Sequence, residues 1–397
     1  MFDLVIRGGK VYDGSGGDPQ IADVAINGDR IAKIGQIDQK GLREIDATGK
    51  IVTPGFVDIH THFDGQVTWD PLLAPSTSHG VTTIVTGNCG VGFAPCKPEQ
   101  RNWLIGLMEG VEDIPGTALH EGIDWQWETF PEYLDVLEAK PLAIDVATQI
   151  PHGAVRAFVM GTRAADHELA SEHEVAQMGA IVAQAIEAGA LGFSTSRTEK
   201  HKDVNGVLTP TISAEANELV GIAQAVGQTG KGVLQGISDF YDFDSEFALF
   251  KRMAQESGRP ISLTVEQQDA RPQWWTQLLD GITQAQSEGI AMYGQVPPRA
   301  TGVLLGLTAT LNPFLFYPPY RQIAGLPLAE KVAIMRTDEF RAAMLSAKPV
   351  DRDAPLVEEI LYGFNKLYQL GDPANYEPDP KDAFGPRAAR AGVRVEE

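Results

Sequence analysis

The fold of this chain is first indicated by the stretch Gly55-Phe56-Val57-Asp58-Ile59-His60-Thr61-His62. Its short apolar start is typical of a strand that is buried on both faces of a sheet. Six similar apolar segments follow, at residues 82–86, 142–149, 190–195, 232–237, 260–265 and 290–295. We therefore predict seven buried strands, of which the first covers residues 55–60.

Helix signals lie between the later strands. Ser171 with Glu174 three residues on is a capping box, and Gly189 is placed to end the helix that begins there. Similar signals predict three more helices, at about residues 213–228, 244–258 and 271–289. The alternation of strand and helix predicts a parallel sheet, and so many consecutive units favour a (β/α)8 TIM-type barrel. A doubly wound sheet would need a Gly-rich phosphate loop after its first strand, which the sequence lacks.

Residues 1–54 have a different pattern of short strands and turns. Strands are predicted at residues 4–7, 11–12, 22–26 and 30–34, with glycine-rich turns between them. The Asn27-Gly28 pair is a strong hairpin signal. We predict a small antiparallel unit over residues 1–54, which must pack on another element because it cannot bury a core alone. Residues 55–397 are then the barrel domain.

The pattern weakens after Gln295. A segment rich in proline and aromatic residues, 313–320, leads to predicted helices near residues 328–346 and 356–370. The final residues, Val393 to Glu397, resemble the acidic first turn of a helix. We therefore expect the chain to end within an element, with the last barrel strand missing.

The composition is that of a globular protein with room for a large core. Of its 397 residues 43% are hydrophobic, and 53 acidic and 32 basic side chains give a net charge of -21. This charge repels nucleic acids and anionic membrane surfaces. The sequence has neither an amino-terminal signal segment nor a run of about 18 apolar residues, so we expect a cytoplasmic protein that acts on a small molecule.

Two histidines at the end of the first barrel strand are the strongest chemical signal. Side chains alternate along a strand, so His60 and His62 lie on one face, about 6.5 to 7 Å apart along it, and can bind one metal ion. Barrel enzymes place their chemistry at this end of the strands. Asp58, on the same face, could orient a ligand imidazole. The alternative is two polar strand residues with ordinary hydrogen bonds.

A cysteine follows the second strand. Cys89 lies in a glycine-flanked loop, Gly87 to Gly90, at the same end of the barrel as the two histidines. A thiolate there would be a zinc ligand, although most free cysteines are small buried hydrophobic residues. We assign that buried role to Cys96, the other cysteine of the chain. The spacing of the two fits neither a redox pair nor a zinc knuckle.

These motifs resemble those of a known family. Residues 51–62 are similar to the opening signature of the amidohydrolase superfamily, and with the Cys89 loop they resemble its N-acyl-D-amino-acid deacylase branch, the D-aminoacylases. The resemblance continues through residues 151–156, 159–161 and 188–195 and covers most of residues 1–300. It implies a distorted (β/α)8 barrel and a small β-sandwich, of which residues 1–54 form the amino-terminal half. It also implies a divalent metal, most consistent with zinc, bound by His60, His62 and Cys89.

The sequence departs from this branch in two places. The branch takes metal-binding histidines from barrel strands five and six, where this chain has Gln235 and Glu266-Gln267; all 8 of its histidines lie at or before His201. The branch's catalytic aspartate follows strand eight, in a segment without a counterpart after Gln295. We expect at most one well-occupied metal ion, because amide oxygens bind zinc weakly. The catalytic base is unassigned. We expect either that the chain is a fragment of a longer protein, or that another chain supplies the missing parts, in a complementing complex or a homo-oligomer.

The resemblance implies hydrolysis of the amide bond of an N-acyl amino acid or a related small amide. Arg197, at the end of strand four, could bind the substrate carboxylate, but a surface ion pair is an equally good interpretation. His152 could line the pocket or cap a loop, and Gln235 could contact the substrate. Two alternatives remain. One is a hydrolase of a cyclic amide, ester or lactone on the same fold, and the other is a catalytically inactive fragment or subunit that acts by protein interaction.

Overall fold

The computed structural model describes residues 1–269, 271–297, 302–309, 311–350 and 360–397. Contacts between Cα atoms divide the chain into two compact units. The first unit comprises residues 1–59, 72–84 and 142–146, and the second comprises residues 60–71, 85–141 and 147–397. The first unit thus extends past the predicted boundary at residue 54, because the first barrel strand belongs to it.

The amino-terminal sheet has five strands, β1 (Phe2–Val11), β2 (Gln20–Asn27), β3 (Arg30–Gly35), β4 (Gly41–Asp46) and β5 (Ile51–Val52). Their order is β3-β2-β1-β4, and β5 pairs with β1. The predicted hairpin at Asn27-Gly28 is confirmed, since β2 and β3 pair antiparallel with Asn27 opposite Arg30. Strands β4 and β5 both run parallel to β1, so the prediction of a purely antiparallel unit was wrong.

Strand β4 was not predicted because its sequence carries charged residues and few apolar ones. It is an edge strand that is exposed along most of its length, and charged side chains protect such an edge from pairing with another chain. Arg7 of β1 holds it in register, with one nitrogen 2.6 Å from Glu44 and another 3.0 Å from Asp23 of β2. The small core of this sheet consists of Val5, Ala25 and Ile37.

The second sheet contains the barrel strands, β6 (Phe56–Asp58), β7 (Val81–Thr86), β8 (Asp145–Pro151), β9 (Gly192–Arg197), β10 (Val233–Ser238), β11 (Ile261–Thr264) and β12 (Met292–Gln295). The seven strands lie in sequential order from β12 to β6. The recorded pairs run parallel, for example β9 with β10 and β11 with β12. Sequential parallel strands with helices between them are the arrangement of a (β/α)8 barrel. The predicted fold class and all seven predicted strands are therefore confirmed among the described residues.

In the described part of the chain up to residue 287, nine helices connect or follow these strands: α1 (Arg101–Glu112), α2 (Gly116–Gly122), α3 (Phe130–Glu138), α4 (His152–Met160), α5 (Thr162–Ala165), α6 (Glu172–Ala188), α7 (Ala216–Gln228), α8 (Phe243–Ser257) and α9 (Trp274–Ser287). Later helices cover Pro318–Arg321, Leu328–Met335, Asp338–Ser346 and Phe384–Ala391. The capping box is confirmed, because the Ser171 side chain accepts from the Glu174 backbone N–H and Gly189 ends α6.

Some predicted helix limits were wrong for local reasons. Helix α7 begins at Ala216 because residues Pro210–Ser213 form a separate 3-10 turn. The helix predicted over residues 328–346 is broken in two, since Thr337 caps a second helix by accepting a hydrogen bond from the Phe340 N–H at 3.2 Å.

The helices predicted near the carboxyl terminus were less accurate than those between the barrel strands. Much of the helix predicted over residues 356–370 lies outside the described residues, and its described part is helical only through Tyr362. Residues 393–397 do not begin a helix, because they follow the helix Phe384–Ala391, which Gly392 ends in a left-handed conformation with φ of 69°.

Burial follows the prediction for the central strands but not for β6. Ile84, Phe193 and Leu234 are fully buried, whereas Phe56 and Val57 are 57% and 58% exposed. Strand β6 is the edge of the seven-stranded sheet, which explains why its apolar side chains lack full cover. Among the residues that the structure describes, no helix is both long enough and apolar enough to cross a membrane.

Candidate metal centre

The two predicted histidines follow strand β6 directly. Thr61, between them, continues the pairing with β7: its N–H and its Oγ1 donate to the Val85 carbonyl at 3.0 and 2.8 Å. Because neighbouring side chains point in opposite directions, this contact turns His60 and His62 to the same side. Their ring centroids are 5.3 Å apart with an angle of 60° between the planes.

Cys89 lies beside these rings. Nε2 of His60 is 3.1 Å from the Cys89 sulphur, and the ligand atoms of His60, His62 and Cys89 all lie within 4.8 Å of one another. Ligand atoms around a tetrahedral zinc ion are separated by roughly 3.5 Å, given the usual bond lengths. The structure thus brings together all three residues that the sequence singled out as metal ligands, at a spacing that small adjustments could fit to zinc.

The backbone of Cys89 is in a conformation that a cysteine seldom adopts. Its φ of 54° and ψ of 20° are left-handed, and it lies in a short 3-10 turn between Gly87 and Gly90, whose φ values of 72° and 68° are also positive. A non-glycine residue in this region costs about 1 to 3 kcal/mol, and such residues cluster at functional sites. A Cβ on Gly87 would lie 1.9 Å from the Gln149 carbonyl oxygen, so only glycine fits there.

Buried polar side chains from three barrel strands hold this turn. Gln235 of β10 accepts the Cys89 N–H at 2.9 Å, and Ser194 of β9 accepts the Gly90 N–H at 2.9 Å. Gln149 of β8 donates to Asn88 at 2.8 Å. Sequence reasoning missed Ser194, Gln149 and Asn88. A polar residue in a buried strand is the signal that could have found Ser194 and Gln149, whereas Asn88 lies in the turn itself.

Other polar groups surround the histidines. Nε2 of Gln295, at the end of β12, lies 3.2 Å from Nδ1 of His60. Oε1 of Glu112, at the end of α1, lies 3.3 Å from Nδ1 of His62. The second pair is close but is not aligned as a hydrogen bond, so Nδ1 of His62 is buried without a hydrogen-bond partner among the described residues.

Burial governs the electrostatics of the site. It lowers the pKa of His62 to about 4, and it raises the pKa of the Cys89 thiol well above its usual range, with Glu112 and Glu266 adding to the rise. Burial also raises the pKa of Asp64 to about 8, and burial with the charge of Asp113 raises the pKa of Glu112 to about 8. A divalent cation would reverse the effect on the thiol, because it favours neutral imidazoles and a thiolate.

The donor set fits a zinc ion. Two imidazole nitrogens and a thiolate are ligands that zinc prefers, and three protein ligands leave a fourth position for water or substrate, as in catalytic zinc sites. Two further carboxyl groups, Asp64 and Glu112, have pKa values of about 8, so a bound cation would first have to displace their protons before they could offset its charge. The two imidazoles and the thiolate are therefore the donor set that fits zinc.

Two predicted substrate-binding residues have other partners in the structure. Arg197 makes a bidentate ion pair with Glu246, at 2.8 and 2.7 Å, and donates to the Ala214 carbonyl at 2.8 Å. His152 begins α4 and is fully buried, with Nδ1 2.9 Å from the Thr195 hydroxyl and Nε2 2.8 Å from Glu218. These contacts favour the ion-pair interpretation of Arg197 and a structural role for His152.

The structure also describes the three other residues that the sequence singled out, Gln235, Asp58 and Cys96. The amide oxygen of Gln235 is engaged by the Cys89 N–H, so its contact with substrate stays a prediction. Asp58 ends β6 and is half-buried, and its role in orienting a ligand also stays a prediction. Cys96 is fully buried, as assigned.

A third imidazole was missed. His201 lies in the loop after β9, with Nδ1 2.9 Å from the Ser196 hydroxyl. Burial lowers its pKa to about 3, and His62, Lys200 and His60 act in the same direction. Nothing in the local sequence distinguishes this histidine from a surface one, since only the fold brings its loop near the other two rings.

Comparison with curated proteins gives several related enzymes. D-aminoacylase of Alcaligenes xylosoxydans xylosoxydans is 37% identical over 195 residues, which are 49% of this chain and 37% of that protein. N-acyl-D-glutamate deacylase of the same organism is 36% identical over 231 residues, 58% of this chain and 42% of that protein. The matched region thus spans less than half the length of these relatives.

Solved structures with the same fold include D-aminoacylases. One of them is 26% identical with a TM-score of 0.64, and the match covers 91% of this chain and 74% of that chain. Another, described by its binuclear metal centre, is 28% identical with a TM-score of 0.63 and a coverage of 75% and 59%. The profile described as "Amidohydrolase family" matches residues 43–362. With most of its length matched and its histidine pair at the end of the first barrel strand, this chain belongs to the amidohydrolase family.

Proposed function

We propose that this chain forms the metal-binding part of a hydrolase that cleaves the amide bond of an N-acyl amino acid. A single zinc ion would be bound by His60, His62 and Cys89. The observation that carries the proposal is the convergence of these three ligand atoms within 4.8 Å from two separate segments of chain.

The relatives support the substrate class. Those reported above are a D-aminoacylase and an N-acyl-D-glutamate deacylase, and both names denote removal of an acyl group from a D-amino acid. A D-aminoacylase structure is described by one-metal activation and second-metal attenuation. That description agrees with a one-metal site in this chain, which has Gln235 and Glu266 where its resemblance to the branch implies two further histidines.

Each group of residues in the chain would contribute in a different way. Gln235 and Ser194 hold the Cys89 turn, so the thiolate would already be in position when the ion binds. A bound cation would favour loss of the protons of Asp64 and Glu112, whose pKa values are about 8 in its absence, and the resulting carboxylates would offset its charge. When bound, zinc supplies a Lewis acid and lowers the pKa of a coordinated water towards neutrality. The group that takes the proton of that water is not assigned.

The predicted substrate contacts belong to this proposal as well. Arg197 can bind a substrate carboxylate only if it gives up part of its bidentate pair with Glu246. Gln235 keeps one amide hydrogen free for substrate if its weak contact with Thr264, at 3.5 Å, opens. A cytoplasmic location, a homo-oligomer and a complementing chain remain predictions from the sequence.

The test measures metal and activity separately. The purified chain is loaded with Zn²⁺, freed of excess metal, and analysed for zinc by mass spectrometry; we expect about one ion per chain. The loaded chain is then assayed with N-acetyl derivatives of D- and L-amino acids, and a chelator should abolish hydrolysis of the D series. A zinc content near zero would refute the metal site, whereas full zinc with hydrolysis of cyclic amides or lactones alone would refute the substrate class.

A further inference from the structure

Glu112 occupies a position that helix stability does not explain. It is the last residue of α1, and the chain leaves the helix through Asp113, whose φ of 52° is left-handed. A carboxylate at this end of a helix is opposed by the helix dipole. Its side chain is only 22% exposed, so it also loses much of its hydration. A buried acid in such a place needs a cationic or hydrogen-donating partner.

His62 is that partner among the described residues. Oε1 of Glu112 lies 3.3 Å from Nδ1 of His62, whose side chain is 19% exposed. Nδ1 is buried without a hydrogen-bond partner among the described residues, and the Glu112 carboxylate is the polar group within 3.3 Å of it. A hydrogen bond between them would satisfy a buried nitrogen that is costly to leave unpaired.

Helix α1 is held firmly enough to present Glu112 at a fixed place. Its two glycines form a groove for the loop after β9: the Val204 N–H donates to the Gly106 carbonyl at 3.1 Å. At Gly110 a Cβ would lie 2.2 Å from the Asp203 carbonyl carbon, so the two backbones are in direct contact. The contact begins within one turn of Glu112, so movement of this end of the helix away from His62 would have to displace the loop.

The neighbouring ligand also has a polar side chain at its second ring nitrogen, although that group is an amide nitrogen, which donates, and not a carboxylate. His60 directs Nε2 towards Cys89, at 3.1 Å, and its Nδ1 contacts Gln295 at 3.2 Å. Each imidazole thus has one ring nitrogen in contact with a polar side chain from a distant element. In metal sites the group that bonds the second nitrogen of a histidine fixes its tautomer and its orientation.

We propose that Glu112 is a positioning residue, which accepts a hydrogen bond from Nδ1–H of His62 and leaves the other ring nitrogen for the metal. The inference rests on the proposed metal site. It adds a residue on α1 to a centre whose ligands come from the segment after β6 and the turn after β7. Because Glu112 acts through His62, its loss should change the metal affinity and the coordination geometry of the bound ion rather than the chemical step.

The test uses Glu112→Ala, Glu112→Gln and a matched control, Glu109→Gln, one turn earlier on α1. Zinc affinity is measured by competition with a chelating dye, and the visible spectrum is recorded with Co²⁺ in place of zinc. We expect Glu112→Ala to weaken zinc binding by roughly 10- to 100-fold and to shift the Co²⁺ bands. Glu112→Gln should keep part of the affinity, because its amide oxygen can still accept, and the control should bind as the wild type does.

A purely structural role makes a different prediction. It would lower the melting temperature of the metal-free protein in both Glu112 variants and leave the affinity of the folded protein unchanged. We expect the reverse: the metal-free variants melt at or above the wild type, because a buried carboxyl at a helix carboxyl end is removed. Zinc affinity of folded Glu112→Ala within about twofold of the wild type would overturn the inference. Absence of zinc binding by the wild type would instead refute the proposed function.

Discussion

Nε2 of His60 lies 3.1 Å from the sulphur of Cys89, although 29 residues separate them along the chain. The histidine follows the first barrel strand and the cysteine the second, so their contact depends on the pairing of those two strands. Thr61 contributes to that pairing through its bonds to the Val85 carbonyl. The proposed metal site is thus a direct product of strand order.

Replacement of Cys89 by serine should remove the zinc ion. A serine hydroxyl is not ionised near neutral pH and is a poor zinc ligand, so the affinity loss should exceed the roughly 10- to 100-fold effect of losing an outer hydrogen bond. Zinc content after dialysis measures it. Cys96→Ser is the control, because Cys96 is also buried and its thiol donates to the Lys97 carbonyl, at 3.3 Å. Equal zinc in both variants would exclude Cys89 as a ligand.

Gly87→Ala should distort the turn that carries Cys89. The new Cβ would lie 1.9 Å from the Gln149 carbonyl oxygen, and the φ of 72° would be strained as well. We expect a loss of unfolding free energy of more than about 1 kcal/mol, together with weaker zinc binding. Gly258→Ala controls for backbone strain, since its φ of 63° is similar and its Cβ meets open space. Similar urea midpoints for both variants would show that the close approach at Gly87 does not matter.

Glu218 should make the free energy of unfolding depend on pH in the acid range. Burial raises its pKa, but the hydrogen bond from His152 and the charge of Arg156 lower it more, so the net pKa is below the usual 4.5. Because the folded pKa is depressed, the carboxylate stabilises the fold above a pH of about 4.5, and this contribution is lost as the pH falls through the folded pKa.

Glu218→Gln tests this contribution. It leaves Arg156 charged and fully buried, at a cost of about 3 to 5 kcal/mol near neutral pH. In urea unfolding at several pH values, the free energy of unfolding of this variant should fall less steeply at acid pH than that of the wild type. Glu215→Gln, an exposed residue next to α7, should behave as the wild type does. The same decrease at acid pH in Glu218→Gln as in the wild type would contradict the assignment of this pH dependence to Glu218.

Arg197 and Glu246 should act as a unit. Their two hydrogen bonds, at 2.8 and 2.7 Å, are those of a bidentate pair whose side chains are 17% and 18% exposed. We expect Arg197→Lys and Glu246→Gln each to lower the unfolding free energy by about 1 to 3 kcal/mol, and the double variant to lose less than the sum. A rise in KM for N-acyl amino acids in the Arg197 variant alone would instead support the predicted contact with the substrate carboxylate.

Local signals determined much of the fold. The seven barrel strands are apolar segments of strand length, and the start of α6 is marked by Ser171 and Glu174, so both could be predicted without knowledge of the rest of the chain. The pair His60 and His62 could also be predicted from a local signal, because alternation of side chains along an extended segment brings both to one face. Strand β4 was missed since its charged sequence lacks the alternation on which such predictions depend.

Only the tertiary structure decided what surrounds the histidines. Gln295 meets His60 across 235 residues, and Gln235 meets Cys89 across 146, so each contact exists only because the sheet brings the ends of its strands together. Glu112 approaches His62 because α1 ends beside the strands, although nothing in its own sequence distinguishes it from an exposed acid. The sequence alone therefore determined the candidate ligand types and the strands that they follow. Their partners, their burial and hence their pKa values came from packing, because those properties depend on residues that are distant in the chain.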